Sequence, residues 1–166
     1  FVTGKAPNKS GNNHPILAPY GIFKTSDGEI AVAPASDKFC SIFLECIDLI
    51  SLLENELYKN NSNRMKNRDS LNEIVNERMI SETSDFWIKK LNKAGCPAAK
   101  IVSLPEALNS QLIQDNEMVI SSNGPKGRQI KMTGFPVKLS DTPSQLYRSP
   151  PLLGEHTNEI LKTIKK

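Results

Sequence analysis

Long apolar runs are missing. The most hydrophobic stretch, residues 42–53, is interrupted by Glu45, Asp48 and Ser51 and falls short of the ~20 residues a membrane helix requires, which argues against a membrane span. Cysteine is scarce: Cys40, Cys46 and Cys96 form an odd set with no C-x-x-C pair, which argues against a disulfide framework. Each sits among apolar neighbours, as small buried hydrophobes do, and a reducing cytoplasm is the simplest setting. Histidine is rarer still, and His14, His156 and the cysteines lack the spacing of a metal site. Blocks of like charge are absent too. The net charge of +3 comes from 21 basic and 18 acidic residues intermixed, with no basic stripe carrying aromatics, so nucleic acid is not an expected partner. The chain has no initiating methionine and no basic start followed by an apolar stretch. It opens on Phe1-Val2-Thr3-Gly4 and reads as if entered in mid-protein.

What is present is the composition of a globular chain, 38% hydrophobic and 23% charged over 166 residues, enough for one domain or a small domain with an extension. Breakers and amides crowd residues 1–15, an incoming linker or loop. Two β-prone runs, residues 20–25 and 29–33, flank Ser26-Asp27-Gly28 and read as a hairpin. From Asp37 the apolar residues Phe39, Ile42, Phe43, Cys46, Ile47, Ile50 and Leu53 share one helical face. Residues 58–67, rich in Asn, Lys and Arg, read as a solvated connection. Helical spacing returns at Leu71, Ile74, Val75 and Met79. A third helix is expected to begin near residues 83–85, turn Trp87, Leu91 and Ala94 inward, and stop at Gly95 before Pro97. Ser103 and Glu106 have capping-box spacing for a short helix through Leu108. A second hairpin is expected on either side of Gly124-Pro125-Lys126-Gly127, followed by a proline-rich tail and a last helix over about 156–164.

Four separated segments, in this order and at these intervals, resemble the family III CoA-transferases, also called the CaiB/BaiF family. They are Gly11-Asn12-Asn13-His14-Pro15 with Ala18-Pro19-Tyr20; Asp27-Gly28-Glu29-Ile30-Ala31-Val32-Ala33; Trp87 to Leu91 with Ala94-Gly95-Cys96-Pro97-Ala98-Ala99; and Pro136-Val137-Lys138-Leu139-Ser140-Asp141-Thr142-Pro143 leading to Pro150-Pro151-Leu152-Leu153-Gly154-Glu155-His156-Thr157. The resemblance implies an α+β small mixed domain of β-hairpins and helices, about residues 16–122, and a carboxy-terminal return segment, residues 123–166, that would pack on a large doubly wound domain absent from this chain. It implies acyl-CoA and a carboxylic acid as partners, a coenzyme A thioester as substrate, no covalently bound cofactor, and a homo-oligomer in which two chains interlock.

In that family an aspartate of the large domain attacks the thioester and forms a mixed anhydride, nucleophilic catalysis by a carboxylate. None of Asp27, Asp37, Asp48, Asp69, Asp85, Asp115 or Asp141 matches its place, so no catalytic residue is assigned here and the isolated chain is expected to be inactive. Gly11, Asn12, Asn13 and His14 match a glycine-rich loop that closes over the active site in the oxalate-using members, and they are the expected substrate-binding residues; the single glycine argues for less mobility. Racemases of the same family carry a glutamate at the position of Ser36, which favours transferase over racemase, since a serine of ordinary acidity does not relay protons. A non-catalytic acyl-CoA-binding module or a decayed remnant are the other readings, and an engineered fragment or a split gene would equally account for the opening. Against a CoA-phosphate cradle at residues 124–128, a hairpin turn is the plainer reading. Against CoA-phosphate contacts from Arg64, Lys66 and Arg68, it is a solvated face, and for Trp87, core.

Overall fold

A computed structural model describes residues 4, 6, 9–124 and 127–164. It has mixed helices and antiparallel sheets, and divides into two compact units, residues 1–101 and 102–166.

In the first unit, strands β1 (Gly21–Thr25) and β2 (Gly28–Val32) pair antiparallel with Thr25 opposite Gly28, so the hairpin turns on Ser26 and Asp27. Alternation does the sorting: Phe23 points inward while Lys24 is exposed, and Ile30 and Val32 are buried while Glu29 is exposed. A third strand, β3 (Ala98–Lys100), adds antiparallel to β2. Its three residues carry no alternation, and the sequence reading had no strand there. Helices α1 (Asp37–Cys46), α2 (Asn61–Lys66), α3 (Arg68–Met79) and α4 (Ser84–Lys93) complete the unit. Phe43, Leu44 and Ile47 meet Leu71, Val75 and Met79 of α3 and Trp87 and Leu91 of α4 in one fully buried cluster with Phe23, Ile30 and Val32. Trp87 also satisfies its indole N–H on the Met79 carbonyl at 2.7 Å, as a buried indole must.

Three sequence expectations are corrected, the simplest being that Ala94, expected to turn inward, is exposed as the C-cap of α4. The single helix expected over 37–53 ends at Cys46, because Asp48 takes a left-handed conformation (φ 60°), and a 3-10 turn over Ile50–Glu54 follows. The apolar spacing continued through a bend that packing against the core tolerates. The solvated connection expected over 58–67 is in fact ordered: Asn60 caps α2 by accepting from the Asn63 amide at 2.9 Å, and Tyr58 and Arg64 are buried. Thr83 caps α4 as expected, accepting from the Phe86 amide. The Ser26–Asp27 turn is fastened to that helix start. Asp27 accepts from the Ser84 amide at 2.7 Å, and Ser84 and Thr25 share a hydrogen bond between their hydroxyls at 2.7 Å. Hydrogen bonds donated to Asp27, from the Ser84 amide first and then the Ser84 and Thr25 hydroxyls, hold its carboxyl below the usual range.

In the second unit, α5 (Leu104–Asn109) carries the expected capping box between Ser103 and Glu106. A short α6 (Gln111–Asp115) then leads into the antiparallel hairpin β4 (Val119–Asn123) and β5 (Gln129–Thr133), and α7 (Thr157–Ile164) ends the described chain. Gly134 stands where a Cβ would lie 2.0 Å from the Glu117 carbonyl oxygen, so only glycine closes the base of this hairpin. Every buried hydrophobic residue among those described belongs to the first unit. The second leaves Leu104, Leu112, Tyr147 and Leu153 largely exposed. No described helix is long and apolar enough to cross a membrane.

Burial pushes the Cys40 and Cys96 thiols up to about 11, and raises that of the half-exposed Cys46 as well. Since the thiolate is the reactive form, native protein titrated with a thiol reagent at pH 8 should modify Cys46 first, and slowly, with Cys40 and Cys96 reacting only on unfolding. Truncating Trp87 to alanine should cost about 3–5 kcal/mol in urea denaturation.

Candidate functional site

The four expected substrate-binding residues lie in an irregular segment that enters β1. Gly11 adopts φ +58°, the Asn13 amide donates to the Ser10 carbonyl at 3.0 Å, and the His14 amide donates to the Tyr20 carbonyl at 2.9 Å, closing residues 14–20 into a loop with a cis Ala18–Pro19 bond. Such a segment has no regular ladder, so its backbone groups need partners from elsewhere.

They find them on α2 and α3. The Asn61 side chain donates to the Ile16 carbonyl at 2.9 Å and accepts from the Ala18 amide at 3.2 Å. Arg64 Nε donates to the Ala18 carbonyl at 2.6 Å, Arg68 Nη2 to the His14 carbonyl at 2.8 Å, and Asn72 Nδ2 to Asn13 Oδ1 at 3.0 Å. One turn on, Asn76 Oδ1 accepts from the Lys24 amide at 2.8 Å. Residues 68, 72 and 76 are four apart, so they line one face of α3 beside the apolar stripe of Leu71, Val75 and Met79. The ladder is not fully satisfied: Arg68 Nε and Asn72 Oδ1 are buried without a partner among the described residues. Gly21 completes the fit, since a Cβ there would stand 2.9 Å from both the Asn12 carbonyl oxygen and Asn13 Oδ1.

Arg64 is the centre of this arrangement. Its side chain is only 3% exposed, and besides Ala18 it reaches the Tyr58 carbonyl at 3.2 Å and the carboxylate of Asp37, which is itself mostly exposed. The solvated face expected for Arg64 is therefore corrected: each of its three guanidinium nitrogens donates to a protein acceptor, two of these acceptors being backbone carbonyls. The signal was the spacing of Asn61, Arg64, Arg68, Asn72 and Asn76, a polar stripe with the period of a helix.

At the outer side of the loop the His14 ring stacks on Tyr20, with centroids 4.6 Å apart and planes inclined by 22°. Its Nδ1 accepts from the Ile16 amide at 3.3 Å, which places the proton of the neutral ring on Nε2.

The other candidates have structural duties. Asp27 holds α4, Asp37 meets Arg64, Asp48 pairs with Arg78, and Asp115 accepts from the Gln111 side chain. Ser36 caps α1, accepting from the Phe39 amide at 3.3 Å. The turn of residues 124–128 joins β4 to β5, with the Gly124 amide donating to the Arg128 carbonyl at 2.6 Å; Pro125 and Lys126 lie outside the described residues. No group of His, Cys, Asp and Glu able to hold a metal ion occurs among the described residues. Within the second unit, an apolar cavity of about 540 Å³ lies between α5 and the β4–β5 hairpin, with Leu104, Leu108, Met118 and Met132 in its wall and Lys131 as its one charged lining residue.

Comparison with known proteins gives a consistent result. The family model for CoA-transferase family III matches residues 1–157. The chain is 31% identical over 164 residues to succinyl-CoA:glutarate CoA-transferase of Homo sapiens, covering 99% of this chain and 37% of that protein. It is 29% identical over 153 residues to acetyl-CoA:oxalate CoA-transferase of Acetobacter aceti, covering 91% and 38%. The crystal structure of a CaiB/BaiF family protein from Brucella suis superposes with a TM-score of 0.76 at 28% identity, over 98% of this chain and 42% of that one. The chain thus spans about two fifths of the length of these relatives.

Replacing Arg64 by methionine should destabilise the protein by about 3–5 kcal/mol in urea denaturation, because two backbone carbonyls and a carboxylate lose their shared donor. Asp37→Asn, which touches only the exposed end, should cost under about 1 kcal/mol. Equal costs would mean that the ion pair, not the carbonyls, holds the loop.

Proposed function

The chain belongs to CoA-transferase family III, and from that premise we propose that it forms the carboxy-terminal part of an enzyme exchanging CoA between an acyl-CoA and a carboxylic acid. The observation that carries this reading is the family match over 1–157, together with relatives described as CoA-transferases acting on succinyl-CoA with glutarate and acetyl-CoA with oxalate. The exchange runs through an aspartyl mixed anhydride, the aspartate belonging to a segment that precedes this chain. In that scheme the aspartate takes the acyl group as CoA thiolate leaves, the acid substrate's carboxylate attacks the acyl carbonyl and releases the aspartate, and CoA thiolate then attacks the acid-derived carbonyl of the new anhydride, forming the product thioester and releasing the donor's carboxylate.

Among the described aspartates, Asp27 is held by the Ser84 amide, Asp37 and Asp48 pair with arginines and Asp115 accepts from Gln111, which supports a nucleophile supplied from outside. Residues 16–122 act as the small domain and 123–166 as the segment returning to the large one. The second unit's exposed leucines, with no buried hydrophobic residue among those described there, support a covering surface from the rest of the protein. Residues Gly11, Asn12, Asn13 and His14 form the wall of the acid site, held by the α2–α3 side chains rather than by glycine-rich mobility. A racemase of 2-methylacyl-CoA fits less well, because Ser36 is committed to its cap and offers no acid or base.

Protein expressed from the complete reading frame should transfer CoA from succinyl-CoA or acetyl-CoA to a dicarboxylic acid, followed by mass-resolved chromatography of the acyl-CoA products. The 166-residue chain alone should transfer none. Turnover by the chain alone would overturn the assignment of the nucleophile outside it.

A further inference from the structure

Three of the described arginines have carboxylate partners: Arg64 with Asp37, Arg78 with Asp48 and Arg148 with Glu159. Arg68 has none among the described residues. Its Nη2 instead donates to the His14 carbonyl at 2.8 Å, so a positive charge lies beneath the loop without a directly paired carboxylate among the described residues. His14 is simultaneously restrained through its backbone and at two sides of its ring. Its backbone amide and carbonyl are bonded, its Nδ1 accepts from the Ile16 amide, and its face lies on Tyr20. The one hydrogen-bonding group of the residue without a partner among the described residues is Nε2, which carries the proton in the neutral ring.

A fixed neutral donor backed by an unpaired guanidinium suits an oxygen that bears negative charge. A charged acceptor gains more from a donor than a neutral carbonyl does, and a guanidinium nearby favours the anion over water. We infer that His14 binds the acid substrate, its Nε2–H donating to a carboxylate oxygen, and that Arg68 is the positioning residue that holds the His14 backbone and supplies the compensating charge. This deepens the proposed CoA exchange and rests on it. It assigns one atom to the recognition of the acid, separate from whatever binds the CoA portion.

The tautomer is accessible without activity. Nitrogen-15 spectra of the 166-residue chain, with the second imidazole removed by His156→Asn, should show neutral His14 protonated at Nε2; protonation at Nδ1 would overturn the assignment. In protein from the complete reading frame, His14→Phe retains a ring to stack and loses the donor, so the KM for the acid should rise about 10- to 100-fold at saturating acyl-CoA. The KM for acyl-CoA should stay unchanged, the urea midpoint should fall by no more than the one lost bond to the Ile16 amide accounts for, and His14→Gln, which restores an N–H, should recover most of the loss in acid KM. If the phenylalanine variant does not fold, Arg68→Gln should raise the acid KM several-fold with the imidazole intact. An unchanged acid KM in an active H14F protein, or in R68Q where H14F does not fold, overturns this role alone. Wild-type protein without any exchange activity overturns the proposed function, and this role with it.

Discussion

A buried guanidinium must meet acceptors in every direction or remain in water, and Arg64 meets them by drawing together three segments that are distant in sequence: the loop at Ala18, the turn at Tyr58 and the start of α1 at Asp37. Because two of its three partners are backbone carbonyls, the residue ties chain path to chain path rather than merely neutralising charge. The position of the loop that precedes β1 follows from this constraint. Asn61, Arg68 and Asn72 extend the same logic along the helical face, each supplying a hydrogen-bonding group that an irregular segment cannot find within itself.

That arrangement bears directly on how the loop works. A segment rich in glycine closes by moving, whereas this one has one glycine between residues 11 and 20 and is held by side chains from behind. Within it the orientation of the His14 ring is set by Tyr20 and the Ile16 amide. The loop is therefore preorganised, and in the proposed role recognition of an acid by it would require little reordering. The partly unsatisfied atoms of Arg68 and Asn72 show that this placement of backbone took precedence over full hydrogen bonding beneath it.

The two units differ in how they are stabilised. The first has a core of aromatic and branched side chains from sheet and helices, closed by Trp87 with its indole N–H satisfied. The second depends on local devices: the Ser103–Glu106 capping box, the tight hairpin base at Gly134, and the pairing of Arg148 with Glu159 across a proline-rich stretch. Local devices define conformation without burying much apolar area, so the leucines of this unit remain at the surface.

Local chemistry was readable from the sequence. The β1–β2 hairpin, the caps at Thr83 and Ser103, the stop at Gly95 and the inward face of Trp87 and Leu91 all follow from contacts within a few residues, where identity and spacing suffice, and the family followed from four motifs in order. The end of α1 at Asp48, the pairing of β3 with β2, and the burial of Arg64 depended instead on partners dozens of residues away. A sequence of asparagines and arginines looks solvated until the fold brings backbone carbonyls to it. The orientation of the His14 ring was likewise decided in three dimensions, by a stacking tyrosine and an amide two residues on. Polar side chains take their meaning from the acceptors that the tertiary structure places around them.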